Sequence, residues 1–298
     1  MQIVITGSSG FVGTNLTAYL SSKFQITTLK LRVENSNNIP VDSSAVIHLA
    51  GKAHDLKNVS DSEEYYQVNF ELSQKLYDAF LQSNAQKFII VSSVKAAADH
   101  VNEPLTESYI PNPQTHYGKS KLMAEEYIQS QPLPEGKSYY ILRPCMIHGP
   151  GNKGNLNLLY KFVSKGFPYP LAAFENRRSF LSVENFCFII KELLERADIP
   201  SGVYNVADDE ALSTTELVSI LSKSLNKPAK FWHIYESWIR SLAKLGDRLH
   251  LPLNTDRLGK LTENYIVSNK KIKEVLKKEL PLSAKEGILK TAFSFKNA

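Results

Sequence analysis

Apolar runs and helical spacings alternate along the first half of the chain. Strand-like runs at 2–5, 26–31, 45–49, 88–91 and 139–142 predict buried strands, and the stretches 11–22, 63–81 and 117–130 predict helices. In 11–22 the apolar positions Val12, Leu16 and Leu20 share one side of a helix. Such alternation predicts an α/β fold, a Rossmann-type doubly wound parallel sheet with helices on both faces. After Gly149 the pattern changes to a Gly/Asn-rich loop, "GPGNKGNLN", followed by helices with a few short strands.

Between the first strand and first helix stands "TGSSGFVG", residues 6–13, with Gly7, Gly10 and Gly13 three apart. Glycines at such a turn permit positive φ, let a ligand approach the backbone, and let the helix start close against the sheet. The first helical turn then offers unpaired N–H groups and a positive dipole end, a fit for a pyrophosphate. Small turn residues also occur for conformational reasons alone, so position and context carry this reading. Ligands in such sheets bind beyond the carboxyl ends of the strands, where Gly7, Ala50, Gly51, Ser92, Ser93 and Arg143 fall. The expected division is a dinucleotide-binding Rossmann domain over 1–150 and a smaller, mainly helical substrate-binding region over 151–298, interleaved with it.

The 298 residues are 43% hydrophobic, enough for a sizeable core. The 35 basic residues exceed the 30 acidic ones by five but are scattered, apart from a Lys-rich run at 270–278, which disfavours nucleic-acid binding. Cys145 and Cys187 are too few for a disulfide framework and read as core thiols. The chain starts directly on a strand and has no run of 18 apolar residues, so neither a signal peptide nor an integral membrane contact is expected, and a cytoplasmic location is. His48 and His116 lack partnered metal-ligand spacing, so no metal is expected.

In "HYGKSKLMAEEYI" Tyr117 and Lys121, four apart, share one helix face. A neighbouring ammonium lowers a phenol's pKa and can make it a usable acid or base, although the same pair could simply pack on a helix surface. Ser93, ending a strand of the same sheet, could bond the same substrate oxygen as Tyr117. Asn69 by itself reads as a buried asparagine bonding backbone.

Gly7, Gly10 and Gly13, the "HLAG" segment, Asn69, Ser93 and the Tyr117/Lys121 pair together resemble the extended short-chain dehydrogenase/reductases, the NAD-dependent epimerase/dehydratase group. "LRPCMIHGPG", "NRRSFLSVEN" and "DRLGKL" resemble its nucleotide-sugar branch. The resemblance implies Tyr117 as general acid/base, Lys121 as the residue lowering its pKa and holding the nicotinamide ribose, Ser93 as orienting the C4 oxygen, and Asn69 as a proton-relay or structural bridge. It implies Arg178 and Arg257 on a sugar-nucleotide diphosphate, with Asn155 near the sugar or diphosphate. The implied cofactor contacts are Gly7, Ser9, Gly10, Phe11, Val12, Gly13, Lys30, Arg32, Leu49, Ala50, Gly51, Asn69, Ser92, Tyr117, Lys121 and Pro144.

Three reactions are common in this branch: 4,6-dehydration, 4-epimerisation and 4-keto reduction. Dehydratases carry an Asp-Glu pair directly after the Ser/Thr, and here those positions are Val94 and Lys95, so dehydration is set aside. A carboxylate at the end of the second strand usually bonds the ribose of NAD, whereas "TTLKLR" has Lys30 there, Arg32 close by and no acid before Glu34. That favours NADP(H), with NAD(H) possible, and tilts the expectation to 4-keto reduction; the resemblance of "NRRSFLSVEN" and "DRLGKL" implies a UDP-linked (N-acetyl) 6-deoxyhexose for surface polysaccharide as the substrate. A UDP-sugar 4-epimerase and a non-enzymatic dinucleotide-binding regulator are the alternatives. A homodimer through helices 63–81 and 117–130 is a further implication of the resemblance. Residues 231–251, "FWHIYESWIRSLAKLGDRLHL", read as a helix whose aromatics pack over the sugar pocket or the core; an interfacial membrane helix would look similar.

Overall fold

The computed structural model describes residues 1–30, 39–40, 42–52, 62–152, 154–249 and 254–296. Arg32 and Glu34 lie outside the described residues. The strands are β1 Gln2–Thr6, β2 Gln25–Leu29, β3 Ser43–His48, β4 Lys87–Val91, β5 Ser138–Pro144, β6 Met146–His148, β7 Phe180–Ser182 and β8 Gly202–Val206. The α-helices are α1 Phe11–Leu20, α2 Ser62–Tyr66, α3 Leu72–Gln82, α4 His116–Ser130, α5 Asn155–Ser164, α6 Val183–Glu195, α7 Thr214–Ser224, α8 Glu236–Leu249, α9 Thr255–Thr262, α10 Lys270–Leu276 and α11 Ala284–Lys296.

Six strands form one parallel sheet in the order β2-β1-β3-β4-β5-β8, and β6 pairs with β7 in a second. The central strands are continuous apolar runs because helices cover both faces of a parallel sheet. Side chains alternate between those faces: Ile3 and Ile5 join one buried cluster, whereas Val4 joins another with Leu76, Tyr77 and Phe80 of α3. A third cluster lies in the C-terminal half, under α5, α7, α8 and α11. After β1 the chain runs outward to β2 and returns to the other side as β3, so strand order switches between β1 and β3. This is where an open α/β sheet leaves a crevice for a ligand.

Several elements differ from their expected bounds. β2 stops at Leu29 rather than 31, because its partner β1 ends at Thr6, opposite Leu29, where Gly7 turns away. The expected helix 63–81 is divided by a π-helical turn, Gln67–Glu71, centred on Asn69. The helix expected over 231–251 begins only at Glu236; Phe231 and His233 instead bridge Tyr169 and Leu171, and Trp232 N donates to Tyr169 O at 2.9 Å. Of its aromatics, Phe231 packs against the core cluster of the C-terminal half, whereas Trp232, Tyr235 and Trp238 are exposed. Cys145 and Cys187 are buried free thiols. On the described residues of α2, α3 and α4, Met123 is the one exposed large apolar side chain.

Candidate active site

Gly7 opens the turn at φ +69°, a conformation that favours glycine, and a Cβ there would stand 2.6 Å from Ala50 N. A Cβ on Gly13 would stand 2.2 Å from Gly7 O, so α1 starts directly against the turn. Gly10 caps α1 without a side-chain bond, and the first turn holds no acidic residue. The N–H groups at Phe11, Val12 and Gly13 therefore start the helix without an internal partner, beside exposed Ser9. Across the crevice, Leu49 N donates to Thr6 O and Ala50 N to Thr6 Oγ1, each at 3.2 Å. This backbone cradle fits a dinucleotide pyrophosphate. Lys30 follows the last residue of β2 and is exposed.

Ser93 and Tyr117 face each other. Ser93 leaves β4 in extended conformation and caps the 3-10 turn Val94–Ala96, its Oγ accepting from Lys95 N at 3.2 Å. Tyr117 stands in the first turn of α4, where Thr115 Oγ1 accepts from Gly118 N at 3.2 Å. Gly118 is needed there, since a Cβ would meet Lys95 O at 2.4 Å. Burial raises the Tyr117 phenol, and its hydrogen bond with Ser93 lowers it in opposition.

Lys121 is buried, and its Nζ donates to Val91 O at 3.0 Å. Burial lowers its pKa to about 8, while Glu125 pulls it upward. The Lys121 ammonium bonds a carbonyl of β4, and Ser93 is the hydrogen-bond partner that lowers the phenol. Asn69 is fully buried in the π-turn: its Oδ1 accepts from Lys52 N at 2.8 Å, and its Nδ2 donates to Lys52 O at 3.2 Å and Ser120 Oγ at 3.1 Å. It bonds backbone and also bridges the loop after β3 to α4. Such π-turns recur at functional sites.

Two buried polar groupings support these residues. Ser73 Oγ donates to Asn69 O at 2.7 Å, so His48 Nε2, 3.0 Å away, must donate to Ser73. His48 Nδ1 then accepts from Thr6 Oγ1 at 2.7 Å, and this neutral tautomer agrees with burial lowering the imidazole to about 3. In the second grouping, Glu125 accepts from Arg143 Nε at 3.0 and 3.1 Å and from Ser92 Oγ. Ser92 thus spends its side chain on α4. Sequence reasoning missed Glu125, Ser120 and Thr6; the signal available for Glu125 was its place one turn after Lys121.

The C-terminal half contributes the remaining candidates. Arg178 precedes β7, bridges Leu212 and Tyr265 through its backbone, and reaches Glu263 at 3.3 Å. It therefore lies outside a regular strand. Arg257 lies in the first turn of α9, its N–H donating to the capping Asn254 Oδ1 at 2.8 Å, and exposed Asn155 begins α5. Pro144 ends β5 in register with Val206. Lys95 donates to Asp99 O at 2.7 Å and stands over the Tyr265 ring at 4.3 Å. Among the described residues, no His, Cys, Asp and Glu side chains converge as a metal-ligand set.

The pattern of the NAD dependent epimerase/dehydratase family matches residues 3–207, a span that holds the glycine turn, Ser93, Tyr117 and Lys121. The chain belongs to this family. It is an enzyme of the extended short-chain dehydrogenase/reductase type, with nucleotide-sugar 4-epimerases and 4-keto reductases among its relatives. A UDP-glucose 4-epimerase of Vibrio cholerae is 29% identical over 100% of this chain and 96% of its own. A GDP-6-deoxy-D-mannose reductase of Pseudomonas aeruginosa is 26% identical over 74% and 79%. In fold, the chain matches RMD from Pseudomonas aeruginosa complexed with NADPH, at TM-score 0.77 and 20% identity over 99% of this chain and 100% of that one. It also matches UDP-glucuronic acid 4-epimerase from Bacillus cereus in complex with NAD, at 0.76 and 19% over 100% and 99%.

Proposed function

We propose that the protein reduces the 4-keto group of a UDP-linked (N-acetyl) 6-deoxyhexose with NADPH. The observation that carries this reading is Lys30, which occupies the end of β2 where a carboxylate would favour NAD. Gly7, Ser9, Gly10, Phe11, Val12 and Gly13 hold the pyrophosphate, while Leu49, Ala50, Gly51, Ser92 and Pro144 line the crevice. When bound, the nicotinamide supplies hydride to sugar C4. Tyr117 Oη gives its proton to the C4 oxygen, and Ser93 Oγ bonds that oxygen and orients it. Lys121 supplies positive charge beneath the site and bonds the nicotinamide ribose, and Asn69 keeps the loop after β3 against α4. Arg178 and Arg257 offer planar donor forks to the substrate diphosphate, with Asn155 at the sugar. Arg178 must then exchange Glu263 for phosphate oxygens. Val94 and Lys95 offer no acid–base pair for eliminating water. A homodimer through α2, α3 and α4 belongs to the same reading.

A second reading, UDP-sugar 4-epimerisation, is favoured by the whole-length similarity to the Vibrio cholerae epimerase. Mixing purified protein with a UDP-4-keto-6-deoxy-N-acetylhexosamine and either NADPH or NADH separates them. Loss of the reduced-nicotinamide absorbance, faster with NADPH and reversed in preference by Lys30→Asp, supports reduction. Interconversion of UDP-N-acetylhexosamines without added cofactor, and no absorbance loss, supports epimerisation. Inactivity in both assays would leave the regulator as the answer.

A further inference from the structure

Helix α8 carries apolar residues on two adjoining faces, whereas packing on one side requires only one. Ile239, Ala243 and Gly246 turn inward and are buried. Trp238, Leu242, Leu245 and Leu249 recur at helical spacing along the neighbouring stripe; Trp238 is 69% exposed and the three leucines are between 47% and 58%. Trp232 and Tyr235, just ahead of the helix, extend the same exposed apolar segment. Scattered exposed leucines are ordinary, but a stripe of this length with aromatics at one end marks an interaction surface. Its outer border is basic, with Lys244 and Arg248 one turn apart; Arg240, one turn earlier, pairs with Glu236 and stands over the Phe174 ring at 5.1 Å. The helix's acids are engaged, Glu236 with Arg240 at 3.0 Å and Asp247 with Thr255 N and Oγ1 at 3.1 and 2.8 Å.

We propose that this face docks the enzyme on an anionic lipid bilayer, with α8 lying in the interface plane. Leucines enter the acyl boundary, tryptophan and tyrosine favour the headgroup level, and the bases meet anionic lipid phosphates. No helix among the described residues is long and apolar enough to cross a membrane, so the contact is peripheral. A second copy fits the stripe less well, because antiparallel pairing of α8 sets its basic border against the same border of the other copy. α8 packs on α9, which carries Arg257, so docking holds that side of the C-terminal half at the lipid boundary. The inference is independent of the reaction and cofactor proposed above.

Vesicle flotation of the full chain tests it, comparing phosphatidylcholine alone with vesicles containing about 30% phosphatidylglycerol. The chain has two tryptophans, Trp232 and Trp238, so their emission reports this face. The expected result is capture by anionic vesicles with a blue shift of emission, weakening as salt rises. Leu242→Ser with Leu245→Ser should cut partitioning about tenfold or more while circular dichroism and thermal midpoint hold. Lys244→Glu with Arg248→Glu should remove the preference for anionic vesicles. No capture, or capture that both double variants leave unchanged, overturns the proposal. So does a dimer in sedimentation that the leucine variant dissociates while vesicles bind nothing; a second copy would then cover the face.

Discussion

The Lys121 ammonium occupies the space beside Gly51: a Cβ on that glycine would stand 2.9 Å from Lys121 Nζ and 3.0 Å from Asn69 Oδ1. Glycine in "HLAG" is thus explained by what lies above it, and the same space brings the ammonium to the loop that borders the crevice. Gly51→Ala should displace the flexible lysine tip before it moves the backbone. The expected outcome is a fall in kcat/KM of about tenfold or more with little loss of thermal stability, measured by steady-state kinetics beside a melting curve.

Tyr117 and Ser93 share a hydrogen bond, yet only the tyrosine has a proton whose transfer the proposed reaction needs. Tyr117→Phe should lower kcat by about 10²–10⁴-fold and leave cofactor affinity, read by fluorescence titration, nearly unchanged. Near-normal turnover in that variant would remove Tyr117 from the chemistry.

With its pKa lowered to about 8, Lys121 is charged below that pH and neutral above it. On the proposed mechanism, kcat/KM falls above pH ~8 as the positive charge beneath the site is lost. Lys121→Met should eliminate this limb along with most activity. A profile flat to pH 10 would separate the lysine's charge from its role.

Burial of His48 acts in the opposite direction, on acid stability. Its folded pKa, about 3, lies below the ordinary 6.5, so between those values the unfolded chain takes up a proton that the folded chain refuses. The stabilising contribution is therefore complete above pH ~6.5 and is lost on acidification, by about 1.4 kcal/mol per pH unit, levelling off near 3. Denaturant unfolding at several pH values should show this slope, and His48→Gln, less stable at neutral pH, should lack it.

Glu125 and Arg143 form a pair almost wholly removed from water. Removing either charge strands the other, so Glu125→Gln or Arg143→Met should cost about 3–5 kcal/mol in unfolding free energy. Replacing both together should cost less than the sum of the two, which a double-mutant cycle measures.

Sequence alone carried whatever depends on near neighbours. Glycine's access to positive φ marked the turn at Gly7, apolar runs marked the buried strands, and the four-residue spacing put Tyr117 and Lys121 on one face of α4. Other features were decided by residues far apart in the chain. Glu125 meets Arg143 18 residues on and Ser92 33 residues back, and His48 links Thr6 to Ser73, because the parallel sheet gathers the ends of β1, β3, β4 and β5 beside α3 and α4. Tertiary packing also turned Lys121 to the Val91 carbonyl, so burial dominates its titration and Ser93 provides the bond that lowers Tyr117. On α8, apolar periodicity shows in the sequence, but which apolar positions face the core is set by contacts with other elements. Packing buries Ile239 and Ala243 and leaves Trp238 and Leu242 on the surface.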